Sequence, residues 1–299
     1  MRLFAPIYYQ RFACVADKCR HSCCIGWEID IDEQTLAGYR TLEGELGEAI
    51  RASITEAEDG AFFALRPDGR CPHLDERGLC EIIKSAGEAC LCEICREHPR
   101  FYNTVCGRIE CGLGAVCEEA ARLILAEEDY LTLLPLDGEG GEPIPTQRDA
   151  LLARLHDATR PYRVRRAELE AQYCPSLATL PEGELAALLG SLEYLDGAHR
   201  ERLLKCLAPA EASEEAAPLC ERFLAYLLYR HALPDADPSD FAGAVGFALL
   251  LERLFCRLVC QEGVDPIEAA VMLSEELEYS QDNTDAIRFF FEAKSPDTV

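Results

Sequence analysis

The sequence contains no long apolar run. Its longest uncharged apolar stretch, Phe241 to Leu251, is shorter than the ~20 residues a helix needs to cross a bilayer, so no membrane-spanning helix is expected. The opening residues, MRLFAPIYYQRFAC, hold no apolar segment of signal-peptide length between Arg2 and Arg11. Positive charge is scarce as well: 29 Lys plus Arg stand against 54 Asp plus Glu, a net charge of −25. Phosphate neutralisation needs clustered Lys and Arg, so nucleic acid is not an expected partner. The one basic cluster, Arg160 to Arg166, runs into acidic sequence and reads as a face within the fold. Familiar catalytic fingerprints are also missing. There is no Walker loop, no Gly-x-Gly-x-x-Gly after a strand, no nucleophile elbow and no His-Glu-x-x-His. These absences describe a cytoplasmic protein with neither membrane nor nucleic-acid partner.

What the sequence does have is cysteine. Of 17 cysteines, 12 fall in the first 117 residues and five in the remaining 182. A chain of 299 residues can bury a sizeable core without crosslinks. In a reducing compartment, clustered thiols serve better as metal ligands than as bridges. The densest stretch runs from Cys71 to Arg122, spaced Cys71-x8-Cys80-x11-Cys92-x2-Cys95-x21-Cys117. A Cys-x2-Cys pair lets two thiolates converge on one metal. Zinc would take four ligands in a tetrahedron, and an iron–sulfur cluster would take about four thiolates on separate irons. Spacing alone leaves both open, and one site or two. Adjacent side chains point apart on a strand or a helix, so Cys23 and Cys24 fit a cluster better than a single zinc ion. Histidines 21, 73 and 98 lie among the thiols and could complete a site. Cys174, Cys206, Cys220, Cys256 and Cys260 read as buried apolar residues, the last two at i, i+4 on an apolar helix.

The expected fold is mainly α: a cysteine-rich, loop-heavy metal-binding part over 1–134, a linker over 135–145 rich in Gly and Pro, and a bundle-like helical part over 146–299. The aromatic residues of 1–13 are expected to pack on the cysteine-rich part. Alternation at Trp27, Ile29 and Ile31 predicts a short strand, and a small two-stranded element is expected in the cysteine-rich part. Asp32, Thr146 and Asp265 read as helix N-caps. Helices are expected over Glu118–Leu134, Glu184–Leu207, Glu214–His231 and Phe241–Cys260.

A set of motifs carries a family resemblance. It comprises Tyr8-Tyr9, Phe12, Cys14, Cys19, Cys23-Cys24, Gly26-Trp27, Cys71-Pro72-x-Leu74-Asp75, Gly78-Leu79-Cys80-x-Ile82, Gly87-Glu88, Leu91-Cys92-x2-Cys95-Arg96, Pro99-Arg100 and Glu110. Later come Tyr226-Leu227-Leu228-Tyr229-Arg230-His231 and Glu278-Tyr279-Ser280-x2-Asn283. Together they resemble the FliB-type flagellin lysine N-methylases, and the cysteine-rich part is similar to YkgJ-type zinc- or iron-chelating proteins. The resemblance implies methyl transfer from S-adenosylmethionine to flagellin lysines in the cytoplasm. It also implies an iron–sulfur cluster, 4Fe-4S in type, with zinc as the alternative. The expected metal ligands are Cys19, Cys23, Cys24, Cys71, Cys80, Cys92, Cys95 and Cys117. The chain departs from the family at Glu118, where proline is usual, and at His73 and His98, where aromatics are usual. Cys90, Cys106 and Cys111 are additional thiols. Methylating a lysine requires a neutral amine; Glu28, Asp30, Asp32, Glu119, Tyr8 and Tyr9 are the acids and hydroxyls near the motifs, and none is singled out as catalytic. The rival expectation is a metal-chelating protein without methyltransferase activity.

Overall fold

A computed structural model describes residues 1–27, 29–58, 60–137 and 145–294. The chain divides into two compact units, one of residues 13–101 and one of residues 1–12 with 102–299. This boundary differs from the one expected at 134–146, and the first strand explains why. Strand β1 (Leu3–Pro6) finds its hydrogen-bonding partners after residue 100, so the first 12 residues fold with the helical part rather than on the cysteine-rich part.

The unit 13–101 is built on a small antiparallel sheet. Strand β2 (Ile29–Ile31) buries Ile29 and Ile31 and exposes Asp30, the period-two pattern that the sequence shows. Asp32 then caps helix α1 (Glu33–Thr41) through Thr35 N at 2.9 Å. Helix α2 (Gly44–Ser53) follows and buries Ile50. Strands β3 (Ile54–Ala57) and β4 (Gly60–Phe63) complete a three-stranded sheet in the order β2-β4-β3. The expected two-stranded element is therefore larger by one strand, because the segment after α2 turns back as a hairpin rather than continuing as helix. Two short helices, α3 (Glu81–Ala86) and α4 (Glu93–Glu97), close the unit.

The second unit begins with β1 and resumes with β5 (Arg100–Val105) and β6 (Arg108–Leu113). Helix α5 (Glu118–Ala126) and strand β7 (Leu133–Pro135) follow. The sheet order is β5-β6-β1-β7, with β1 parallel to β6 (Leu3 opposite Ile109) and antiparallel to β7 (Phe4 opposite Pro135). The helix expected over Glu118–Leu134 thus stops eight residues early. The Asp129 carboxylate accepts from Leu131 N and Thr132 N, a local turn that competes with helix and redirects the chain into β7. Of the expected linker, Pro135 belongs to β7, and residues 138–144 lie outside the described residues.

The remaining helices are α6 (Gln147–Leu155), α7 (Tyr162–Tyr173), α8 (Pro175–Ala178), α9 (Glu182–Ser191) and α10 (Gly197–Leu203). They continue with α11 (Ala217–His231), α12 (Pro238–Cys260), α13 (Pro266–Leu273) and α14 (Gln281–Glu292). Thr146 forms a capping box with Asp149, and Asp265 caps α13, as the sequence indicates. The single helix expected over 184–207 is two, because Asp196 caps a new start at Ala198 N. Helix α12 is the centre of the unit: it packs against α7, α11, α13 and α14 and is buried on nearly every side from Phe241 to Leu258. Gly246 lets α14 approach, since a Cβ there would lie 2.7 Å from Phe291. The mainly α reading holds, and no helix among the described residues is long and apolar enough to cross a membrane.

Candidate metal centre

The core of the unit 13–101 is partly made of sulfur. Cys71 and Cys92 are buried within one hydrophobic cluster with Ile29, Ile31, Tyr39, Phe63 and Leu91. Cys24, Cys80, Cys90 and Cys95 pack half-buried against the same cluster. Five expected ligands therefore gather in one place, although 71 residues separate the first from the last. Local structure accounts for each approach. The turn bearing Cys23 and Cys24 is joined to the segment before Cys71: Gly26 N donates to Gly69 O and Cys71 N donates to Cys24 O, both at 2.9 Å. Cys80 is set opposite Leu74 by an isolated bridge, and Asp75 closes that turn by accepting from Arg77 N and Leu79 N. Cys92 is the N-cap residue of α4, so Cys95 follows within the first turn of helix.

Asp32 ties this arrangement to the sheet. One carboxylate oxygen caps α1, and the other accepts from Glu93 N, the first residue of α4, at 2.8 Å. Burial opposes its charge, but the Glu93 and Thr35 N–H groups hold its carboxyl below the usual range. The expected acid Asp32 is thus a double helix cap. Tyr39 adds a second brace, donating to Cys90 O at 2.7 Å.

The thiols differ in their readiness to ionise. A hydrogen bond from Cys23 brings Cys24 down to about 7. Burial pushes Cys71 up to about 11 and raises Cys80. Cys92 and Cys95 share a hydrogen bond that favours the Cys92 thiolate and leaves the proton on Cys95. No three of these sulfurs lie within 4.8 Å of one another among the described residues. A formed zinc tetrahedron brings its sulfurs to ~3.8 Å, whereas a cluster needs thiolates far enough apart to reach separate irons. The donor set fits a thiolate-bound metal.

The other expected ligands sit differently. Cys19 is half-buried and donates to His21 O at 2.9 Å, and Cys23 is exposed. Cys117 belongs to the other unit, where it is the N-cap residue of α5. His73 is buried, with Nε2 2.9 Å from Ser53 Oγ, and burial brings it down to about 4. His98 is likewise brought to about 4 by burial, and its Nε2 is buried without a hydrogen-bond partner. A neutral imidazole nitrogen three residues after Cys95 is a further possible donor. Glu28 lies outside the described residues. Asp30 is exposed, and Glu119 is held by Arg122 through two hydrogen bonds.

The later motifs converge too, within the unit of 1–12 and 102–299. Glu278 is fully buried and accepts from Tyr226 Oη at 2.8 Å and from Ser274 Oγ; it also lies 2.8 Å from His231 Nε2 and 3.3 Å from Arg230 Nε. Burial opposes its ionisation, but Arg230 and His231 outweigh it and hold the carboxyl at about 2. Tyr226 also accepts from Ala115 N at 2.9 Å, and the Arg230 guanidinium lies 4.7 Å from the Tyr279 ring centroid. Glu110 receives Arg108 and Arg148, both buried, at 2.6 Å. Tyr8 is buried, and Tyr9 half-buried, at the end of β1. The residues around Glu278 form a buried polar knot, and Glu110 with Arg108 and Arg148 forms a second buried polar group. The sequence marked them only as motif positions; their convergence becomes visible with the fold.

A third group includes two cysteines, Cys220 and Cys256, that the sequence reads as core. Cys220, Glu252 and Cys256 are all buried, and their ligand atoms lie within 4.8 Å of one another.

Comparison with known proteins returns relatives over part of the chain. It is 29% identical over 136 residues to a lysine-N-methylase of Salmonella typhimurium, covering 43% of this chain and 33% of that protein. A lysine-N-methylase of Salmonella choleraesuis is 29% identical over 140 residues, again 43% of this chain and 33% of the relative. The flagellar biosynthetic protein FliU of Salmonella muenchen is 26% identical over 171 residues, 53% of this chain and 94% of that protein. The match spans about a third of the length of the two lysine-N-methylases. No family profile matches the chain, and no solved structure matches it. The resemblance to FliB-type lysine N-methylases read from the motifs is thus met by relatives of that kind.

Proposed function

We propose that this chain is a protein-lysine N-methyltransferase that uses S-adenosylmethionine to methylate flagellin in the cytoplasm, with a thiolate-held iron–sulfur centre in its cysteine-rich unit. Two observations carry the reading. The thiols of the quoted motifs, at positions 24, 71, 80, 92 and 95, collect in a single cluster, and the chain is similar to two proteins named lysine-N-methylase. Cys24, Cys71, Cys80, Cys92 and Cys95 would hold the metal, with Cys19 and Cys23 on the adjoining exposed segment. When bound, an iron–sulfur cluster supplies a redox-capable, Lewis-acidic centre.

The residues of the chain do the rest. A lysine must arrive and lose a proton before its nitrogen can attack a sulfonium methyl. The net charge of −25 favours approach of a lysine-bearing partner. The polar knot around Glu278 is fully engaged and keeps its carboxyl ionised, so it serves to position Tyr226 and Arg230 rather than to remove the proton. Zinc at the same thiols would give a structural site instead.

The test is incubation of the reduced, anaerobically purified protein with labelled S-adenosylmethionine and flagellin. Methyl-lysine formation that is abolished by Cys92→Ala or Cys95→Ala, and retained in Cys174→Ala, supports the proposal. Tight metal binding with no methyl transfer under any reducing condition would instead identify a metal-chelating protein.

A further inference from the structure

Helix α12 carries Glu252, Cys256 and Cys260 at i, i+4 and i+8, one stripe on one face of the helix. Cys220, on α11, meets that stripe. The Cys220 and Cys256 thiols are hydrogen-bonded to each other, and Cys256 to Cys260, which in turn contacts Ser213. Cys220, Glu252 and Cys256 are at most 2% exposed, and Cys260 is half-buried at the outer end. A core that needed only small apolar residues here would gain nothing from a buried carboxylate, which is costly to bury unless paired.

The carboxylate is held in a particular way. Tyr162 donates to one oxygen at 2.8 Å, and Arg166 Nε donates to the other at 2.5 Å. Each oxygen retains a further lone pair. This is how outer groups orient a ligating carboxylate.

We propose that Cys220, Glu252 and Cys256 form a second metal site, in the helical unit, for a thiophilic divalent cation of the zinc class. The three buried donors lie close enough to meet a tetrahedral ion with small side-chain adjustments. They are too close together to reach separate irons of a cluster. Hard cations such as magnesium or calcium take oxygen ligands and would not choose two sulfurs. Binding displaces the Cys220 and Cys256 thiol protons to solvent, and a water takes the fourth position. The site is independent of the methyltransferase reading and of the thiols of residues 13–101.

The test is cobalt titration of the full-length, metal-stripped and reduced protein, read by the visible bands of tetrahedral thiolate-bound cobalt. A Cys71→Ala/Cys92→Ala/Cys95→Ala background removes the first cluster of thiols. That background is expected to take up one equivalent of cobalt, displaceable by zinc. Adding Cys256→Ala or Cys220→Ala should abolish the tetrahedral bands. Tyr162→Phe leaves every ligand in place but removes one of the two groups that orient Glu252, and should weaken binding ~10–100-fold. It serves as the decisive variant if the cysteine variants fail to fold. No tetrahedral bands in the background, bands unchanged by Cys256→Ala, or an affinity unmoved by Tyr162→Phe would each overturn the proposal. So would a Cys220–Cys256 disulfide as the only state reached on metal addition.

Discussion

Asp32 offers a sharp test of how the cysteine unit is held together. Its two oxygens accept from Thr35 N at 2.9 Å and Glu93 N at 2.8 Å, so Asp32→Ala uncaps α1 and releases the start of α4 together. Losing an N-cap acceptor costs ~1 kcal/mol. The second bond, made by an ionised acceptor but partly exposed to solvent, adds ~1 kcal/mol. The expected cost of ~2 kcal/mol corresponds to a midpoint lowered by ~8–16 °C for a unit of this size. Trp27 is the only tryptophan in the chain and lies in this unit, so its fluorescence reports on this unit in a thermal scan of the intact, reduced protein. Asp32→Asn keeps one acceptor but turns an amino group toward a backbone N–H, and should lose about half as much. The pH dependence has a definite sign. The folded carboxyl lies below its unfolded value, so its contribution is complete above the unfolded pKa of ~3.9 and disappears as pH falls through the folded value. The gap between wild type and Asp32→Ala should be flat from neutral pH down to ~5 and shrink below ~4. A midpoint moved by less than ~3 °C, or a gap that widens on acidification, would refute the assignment of Asp32 as a double cap.

Three further outcomes follow from the helical unit. A Cβ at Gly114 would sit 2.1 Å from Tyr279 Oη and 2.8 Å from Arg230 Nη1, so Gly114→Ala should destabilise by at least ~1–3 kcal/mol. This can be measured by urea unfolding followed by circular dichroism; an unchanged midpoint would contradict the packing. His199 is raised by its hydrogen bond to Glu276, so its contribution is complete below ~6.5 and lost as pH rises through the folded value. His199→Gln should therefore cost stability at pH 5 and little at pH 9, in the same assay. Glu278→Ala strands a buried guanidinium and should cost ~3–5 kcal/mol. Because the folded carboxyl titrates at about 2, that penalty should be independent of pH between ~5 and ~8.

Local signals in the sequence were reliable where one side chain decides the outcome. Asp32, Thr146 and Asp265 each cap the helix expected of them, because a cap needs only a short acceptor at the right position. Pairing between distant segments was not legible. Nothing in LFAP at the N-terminus announces a strand parallel to residues 109–110, and Leu133-Leu134 reads as a helix end and Pro135 as linker until β1 lies beside them. The same limit applies to the sites. The Cys92-x2-Cys95 pair and Cys24 mark the thiols that join one cluster, but the spacing of Cys117 could not reveal that it folds into the other unit. The stripe of Glu252, Cys256 and Cys260 is visible as a period of four, yet it reads as core until α11 brings Cys220 against it. The knot around Glu278 draws on residues 115, 226, 230, 231 and 274, whose proximity depends on the packing of α11 against the rest of the bundle.

The central claim, a thiolate-held cluster in the unit of residues 13–101, is tested most directly by composition. The protein purified without oxygen should be brown, absorb in the visible and contain iron and inorganic sulfide in near-equal amounts, as a 4Fe-4S cluster requires. Cys92→Ala and Cys95→Ala should lose that iron and sulfide, whereas Cys256→Ala should keep both. A colourless wild-type protein without iron, or iron and sulfide unaffected by Cys92→Ala and Cys95→Ala, would contradict the account.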